Sequence, residues 1–263
     1  MRTSAYEWAG QIPLMAASRS AMRDAIVDNR TLPSARTAMI TVHHLNNSRS
    51  QRVLWLLEEL GMPYEIRKYE RDPKTMLAPP ELAQVHPLGK SPVITDGEVT
   101  VAESGAILEY LVERYDDKGA LAPKRGTPER VTWTYWMHFA EGSAMPPLLI
   151  KLIFDKIVAT PMPFFVKPIV RTISSKVQGT VVTPNLQRQW NFMEAQLARS
   201  SWFAGDAFSA ADIQMSFPVE AAAQRGGLGA EYPKLMQYLK RIRARPAYKR
   251  ALKRGGPYSF AED

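Results

Sequence analysis

The chain has 263 residues, 45% of them hydrophobic and 23% charged, with a net charge of +8 and no cysteine. That length allows one large domain or two ordinary ones, with enough chain to bury a core. Zero cysteine excludes disulfides, thiolate metal sites and a protein cysteine nucleophile, and it fits a reducing compartment.

Residues 1–38 hold no long apolar run. They carry Arg2, Arg19, Arg23, Arg30 and Arg36 together with Glu7, Asp24 and Asp28, which suits neither a signal nor a transit peptide. A disordered extension is expected there, with Met39 as a second candidate translation start. Ile40 to Leu45 alternates and predicts a strand. Arg49 to Leu60 predicts a helix with Val53, Leu54, Leu57 and Leu60 on its apolar face. Ser48 and Gln51 fit a capping box at its start, and Gly61 then Pro63 end it. Tyr64 to Tyr69 predicts a second strand, and residues 70–85 a polar stretch with a weak helix. Pro92 to Thr95 and Glu98 to Val101 flank Asp96-Gly97, a two-residue hairpin signal. Ser104 to Tyr115 predicts a helix with Ile107, Leu108 and Leu111 inward.

This order combines a parallel crossover with an antiparallel hairpin. The expected product is a four-stranded mixed sheet with helices on its faces, an arrangement that resembles the thioredoxin-like fold. After Lys118-Gly119 the strand signals fade. Thr127-Pro128 and Thr183-Pro184 read as helix starts, and Ser209-Ala210-Ala211-Asp212 as a capping box. Leu235 to Ile242 and a piece after Arg245-Pro246 complete a helical bundle. The class is α/β plus all-α, with domains over 39–118 and 126–256.

No stretch reaches the roughly 18 apolar residues of a membrane span. Residues 145–182 are apolar and proline-rich between two helices, and Met145 to Val170 among them is expected as a buried insertion. A membrane-surface segment is the alternative, with the basic C-terminal stretch in support. Between Tyr232 and Ala261 that stretch has Lys234, Lys240, Arg241, Arg243, Arg245, Lys249, Arg250, Lys253 and Arg254 and no acid. It is expected as a solvated helical face. No nucleic-acid motif accompanies the charge, so no nucleic-acid partner is expected.

Three short segments could carry chemistry. A helix N-terminus offers unpaired N–H groups and partial positive charge, and a thiol held there ionises below about 8.5. Ser48 lies where a hydroxyl would donate to such a sulfur. As a cap it would accept instead, and it has one proton to give, so both readings stay open. Ser91-Pro92 precedes the third strand. A cis bond there would leave the Ser91 backbone free to pair with an extended peptide. Lys90, and with it His86, could meet a ligand carboxylate or belong to an ordinary loop. Glu103-Ser104 opens a helix. Its N–H groups and hydroxyl suit a carboxylate and its acid suits an ammonium, together an α-amino acid group.

Each signal is weak alone, but three sites on one sheet match one ligand: a thiol, an extended peptide middle and an amino acid end. The stretch His44-Leu45-Asn46-Asn47-Ser48-Arg49-Ser50-Gln51-Arg52, followed by Leu56-Leu57-Glu58-Glu59-Leu60-Gly61, resembles the first strand and helix of the glutathione S-transferases. The likeness covers about residues 40 to 250 and lies nearest the fungal-type and theta-like branches. It implies that Ser48 holds the glutathione thiolate, with Asn46 or Asn47 as alternative thiol partners. It places His86 and Lys90 at the glycine end, Ser91 before cis-Pro92 at the cysteinyl backbone, and Glu103 and Ser104 at the γ-glutamyl end. It further implies a cytoplasmic homodimer that uses glutathione as co-substrate, with no metal. The second substrate would be a hydrophobic electrophile, with a peroxide as a further class. Trp136, Phe139 and Met145 are expected to line its pocket. A glutathione-binding protein with little catalysis, regulatory or membrane-peripheral, is the alternative.

Overall fold

The computed structural model describes residues 39–261; the expectations for residues 1–38 lie outside the described residues. Four strands, β1 (Ile40–Leu45), β2 (Tyr64–Tyr69), β3 (Val93–Asp96) and β4 (Val99–Ala102), form one sheet in the order β2-β1-β3-β4. β1 runs parallel to β2 and antiparallel to β3, and β4 returns antiparallel beside β3. The register aligns Val42 with Ile66 and Ile94, and Ile94 with Val101, so the apolar residues share one face. Helix α1 (Ser50–Leu60) and helix α3 (Ser104–Tyr115) bury Val53, Leu54, Leu57, Ile107, Leu108 and Leu111 in that core; α2 is one short turn, Leu82–Val85. This is the thioredoxin-like sheet that the sequence predicts.

The hairpin is shifted by one residue from the expected one. Its connecting residues are Gly97 and Glu98, and Gly97 has φ +60°, the geometry of a turn with glycine first. Asp96 stays in the strand because its carboxylate is claimed by α3, accepting from the Tyr110 hydroxyl at 2.7 Å and the Tyr115 hydroxyl at 2.5 Å.

The second region is helical: α4 (Pro128–Phe139), α5 (Met145–Ala159), α6 (Lys167–Val177), α7 (Thr183–Arg199), α8 (Ala210–Ala221), α9 (Pro233–Ala244) and α10 (Pro246–Gly255). The Thr127 hydroxyl accepts from the Arg130 N–H and caps α4. The Ser209 box forms as expected, with fully buried Asp212 accepting from the N–H groups of Ser209 and Phe203, both at 2.9 Å. Thr183-Pro184 starts a helix as expected, with Pro184 in its first turn, but the chain enters it from a helical segment and not from a loop. A π-helical turn, Gln178–Val182, joins α6 to α7, and a second, Ala140–Ala144, joins α4 to α5. Each stands where proline follows at the first positions of the next segment, and proline has no N–H for the regular ladder.

Two further expectations are corrected. The segment from Met145 to Val170 is not a buried insertion. It spans α5, the connection after it and the start of α6, and its Ile153, Ile157, Phe164, Phe165 and Ile169 are all exposed, Phe164 by 87%, as is Ile173 farther along α6. Nor is the basic C-terminal stretch only a solvated face. Arg245 pairs with Glu59 at 2.6 Å, while Arg250 and Arg254 pair with Glu58, which fastens α10 across α1. Beneath those pairs Trp55 packs edge-on to Tyr248, with ring centres 5.1 Å apart. The helical region is thus held against the sheet domain, and the cleft between them is where the candidate site lies.

Candidate functional site

β1 ends and α1 begins around Ser48, which the sheet and helix bury together. Its Oγ accepts from the Ser50 N–H at 3.2 Å, lies 2.7 Å from Ser50 Oγ, and stands 3.5 Å from Ser91 Oγ. The box with Gln51 does not form: the Gln51 side chain is buried and neither amide atom has a partner. Ser50 Oγ continues to Nδ1 of His44 at 2.8 Å. Burial and then the Lys68 charge push His44 down to about 4, against a hydrogen bond to the Gly255 backbone, so this imidazole is neutral at pH 7.

Opposite Ser48, Ser91 joins Pro92 through a cis peptide bond, and its hydroxyl donates to the His43 carbonyl at 3.0 Å. Ser91 and Pro92 line a cavity of about 240 Å³ together with His86, Lys90, Glu103 and Ser104. Every residue expected at the glycine, backbone and γ-glutamyl positions therefore opens on one concavity. Glu103 has φ +71°, a conformation that costs a non-glycine residue about 1–3 kcal/mol and that clusters at ligand sites. Ser104 is buried at the first turn of α3, while Glu103 and Lys90 are exposed.

The same cavity is closed by two residues that the sequence reading did not single out, Arg49 and Glu141. Arg49 Nε donates to Glu141 at 3.0 Å. Buried Arg52 donates to Glu141 at 2.5 Å and to the Gln214 carbonyl at 2.7 Å. Burial works to raise the Glu141 carboxyl, but Arg52 and Arg49 outweigh it and hold it below its ordinary range. Glu141 thus stays ionised, and it braces the start of α1 from the helical side. Its π-helical turn gave no sequence signal, and its partners lie 89 and 92 residues away.

A second cavity, of about 370 Å³, opens on the other side of Ser48. It is lined by Asn47, Ser48, Arg49, Arg71, Met145, Leu148, Leu152, Phe217, Arg225 and Phe260, among others. Met145 lies on this wall. Trp136 and Phe139 do not: they are buried in an aromatic cluster with Phe192, and Trp136 is 4.8 Å from Phe203 between ring centres. Helical spacing marks core and pocket aromatics alike, which is why they were misplaced. The asparagines hold loops. Asn46 Oδ1 accepts from the Arg71 N–H at 3.1 Å, and Asn47 Oδ1 accepts from Ser259 N–H at 2.8 Å and its hydroxyl at 2.9 Å. That last contact brings the C-terminal segment, with Phe260, over the second cavity.

Two cavities that share Arg49, with the buried Ser48 hydroxyl bordering one and 3.5 Å from Ser91 of the other, suit a nucleophile on one side and its acceptor on the other. Known proteins share this framework. The family models "Glutathione S-transferase, N-terminal domain" and "Glutathione S-transferase, C-terminal domain" match residues 37–113 and 154–246. Glutathione S-transferase 3 of Schizosaccharomyces pombe is 38% identical over 210 residues, covering 80% of this chain and 85% of that one. Glutathione S-transferase 1 of Saccharomyces cerevisiae is 34% identical over 219 residues, covering 80% and 92%. Among solved structures, a glutathione S-transferase from Actinobacillus pleuropneumoniae superposes with a TM-score of 0.69 at 31% identity, covering 86% of this chain and 97% of that one.

Proposed function

The chain belongs to the glutathione S-transferase family, and on that premise we propose that it binds glutathione in the smaller cavity and transfers its thiolate to an electrophile in the larger one. The reading rests on one observation. Ser48 borders the larger cavity, its Oγ stands 3.5 Å from the Ser91 hydroxyl of the smaller one, and Arg49 lines both.

Glutathione would enter with its γ-glutamyl group at Glu103 and Ser104. The carboxylate meets the N–H groups of α3 and the ammonium meets Glu103. The cysteinyl backbone would pair beside Ser91, and the glycine carboxylate would lie toward Lys90 and His86. The sulfur then reaches the start of α1. There the unpaired N–H groups, the helix dipole and a hydroxyl proton from Ser48 favour the thiolate over the thiol. The protein supplies position and charge stabilisation, and the nucleophile is the ligand's own sulfur. At an aromatic or alkyl halide, the sulfur–carbon bond forms as the halide leaves with the bonding pair. At a hydroperoxide, the sulfur takes the terminal oxygen and the alkoxide leaves. A second glutathione then releases water and glutathione disulfide.

The test is turnover of a panel of aryl halides, unsaturated aldehydes and hydroperoxides by wild type and Ser48→Ala. Conjugation that falls at least tenfold in the variant supports the reading, and equal rates in the two proteins remove Ser48 from it. A homodimer is part of the proposal, supported by Val131 and Tyr135, which α4 leaves 71% and 47% exposed.

A second reading, a membrane-peripheral glutathione-binding protein, is favoured by the exposed apolar residues of α5 and α6, with Lys151, Lys156, Lys167, Arg171 and Lys176 among them. Among the described residues no helix is long and apolar enough to cross a membrane. Co-sedimentation with anionic but not neutral vesicles, lost in Phe164→Ser/Phe165→Ser, supports it. Equal recovery in the supernatant with both vesicles contradicts it.

A further inference from the structure

The larger cavity is apolar on one side and cationic on the other. Met145, Leu148 and Leu152 supply an aliphatic wall. Arg49, Arg71, Arg225 and Lys156 also face it, against one carboxylate, Asp155. That carboxylate is already engaged, by Lys151 at 2.8 Å and Gln178 at 3.1 Å. Arg49 is engaged by Glu141. Among the described residues the Arg71 guanidinium donates only to the Met76 carbonyl, at 3.1 Å, and Arg225 lies over the Phe260 ring, 4.5 Å from its centre. Among the described residues no carboxylate pairs with either guanidinium.

These two cations stand where a substrate would be. Arg71 is partly buried, and burial followed by the charge of nearby Arg49 pushes it below its ordinary value. A guanidinium offers five N–H donors in a planar fork, which suits a carboxylate, and a π face or one carbonyl leaves most of those donors open. A wholly apolar substrate leaves the like charges unanswered. A wholly polar one leaves the leucine wall wet.

We infer that the second substrate is an anionic amphiphile, with an apolar chain against Met145, Leu148 and Leu152 and a carboxylate at Arg71 and Arg225. This rests on the transferase reading of Ser48. About 370 Å³ is within the range of small-molecule sites and holds a medium-chain acid. The electrophilic carbon of such a molecule is set toward Ser48, between its two ends. For an α,β-unsaturated aldehyde of this class, the glutathione sulfur bonds to the β-carbon. The double-bond pair moves through the α-carbon to the carbonyl oxygen, and water protonates the resulting enolate. Nothing leaves.

Two probes that differ only in charge test this: a medium-chain α,β-unsaturated aldehyde ending in a carboxylate, and its methyl ester. The charge is remote from the reacting carbon, so the uncatalysed rates match. Glutathione is itself an anion, so it is kept saturating throughout. We expect kcat/KM for the acid to exceed that for the ester by about tenfold, the size of one charge-assisted contact. Arg71→Gln and Arg225→Gln each bring that ratio toward one. Calorimetry of decanoate against decanol, on the glutathione-saturated protein, reads the same site without turnover. Equal or lower kcat/KM for the acid, or a ratio unmoved in both variants, overturns the inference and leaves the transferase reading standing. Selective decanoate binding with no turnover of either probe overturns the assignment of the site to the second substrate, and the transferase reading is decided separately by the electrophile panel with Ser48→Ala. Equal binding of decanoate and decanol overturns the site.

Discussion

The Ser50 hydroxyl lies 2.7 Å from that of Ser48, closer than the 3.5 Å between Ser48 and Ser91. Ser50 is in turn 2.8 Å from Nδ1 of His44. The His44 bond to the Gly255 backbone favours the protonated ring, so the ring is its donor. With one N–H given to Gly255, the neutral imidazole accepts from Ser50 at Nδ1, and Ser50 accepts from Ser48. The Ser48 proton is thus directed at Ser50 before a sulfur arrives. Ser50→Ala removes that competing acceptor, so the thiol pKa of bound glutathione falls by a few tenths. Leaving His44 Nδ1 without its donor costs about 1–3 kcal/mol of stability. Ultraviolet titration of the bound thiol and denaturant unfolding check the two effects. A raised thiol pKa in Ser50→Ala would mean that Ser50 donates toward Ser48 instead.

Glu220 is buried in the helical region and accepts from the Tyr248 hydroxyl at 2.5 Å and the Tyr258 hydroxyl at 2.8 Å. Burial pushes its carboxyl up to about 7, against those hydroxyls and the charges of Arg243 and Arg52. In the unfolded chain it titrates near 4.5. Between these values the folded state binds more protons than the unfolded state. Stability from this group is therefore fully present below 4.5 and is lost as pH rises through 7. Glu220→Gln keeps a neutral partner for both tyrosines at every pH. The unfolding free energy of this variant relative to wild type should rise from pH 5 to pH 8. A difference that stays constant over that window contradicts the assignment.

Asn47 has φ +47° and holds the C-terminal segment through Ser259. Asn47→Gly keeps the left-handed backbone and loses both bonds, each worth about 1 kcal/mol net. Phe260 then leaves the larger cavity more often. The expected result is a severalfold rise in KM for the electrophile, with KM for glutathione nearly unchanged. Steady-state kinetics with each substrate varied in turn decides it, and a rise confined to glutathione would place the segment over the other cavity.

The parts of the site that could be read from sequence are those built from short segments. Ser48, Ser91-Pro92 and Glu103-Ser104 each sit at one strand or helix end, where backbone geometry follows from a few neighbouring residues. Glu141, Phe217 and Arg225 reach the cleft through helix packing, and Phe260 through the C-terminal segment tied to Asn47, across long sequence separations, and no local pattern marks them. The Gln51 box failed for a similar reason. α10 ends against α1 so closely that a Cβ on Gly255 would stand 2.6 Å from Gln51 Oε1. The Gln51 side chain lies in that interface and not back over its own helix end. Trp136 and Phe139 show the limit of periodicity, which identifies an inward face without saying whether a cavity lies beyond it. The exposed α5 and α6 pair shows the same limit in the other direction.

The central claim is that the start of α1 and the Ser48 hydroxyl stabilise a thiolate. The direct measurement is the ultraviolet titration of the glutathione thiol when bound to wild type and to Ser48→Ala. The account predicts a bound pKa well below the free value of about 8.5 in wild type. It predicts a rise of about 1–2 units in Ser48→Ala, the size of one lost charge-assisted hydrogen bond, with glutathione affinity little changed. The same bound pKa in both proteins would contradict it.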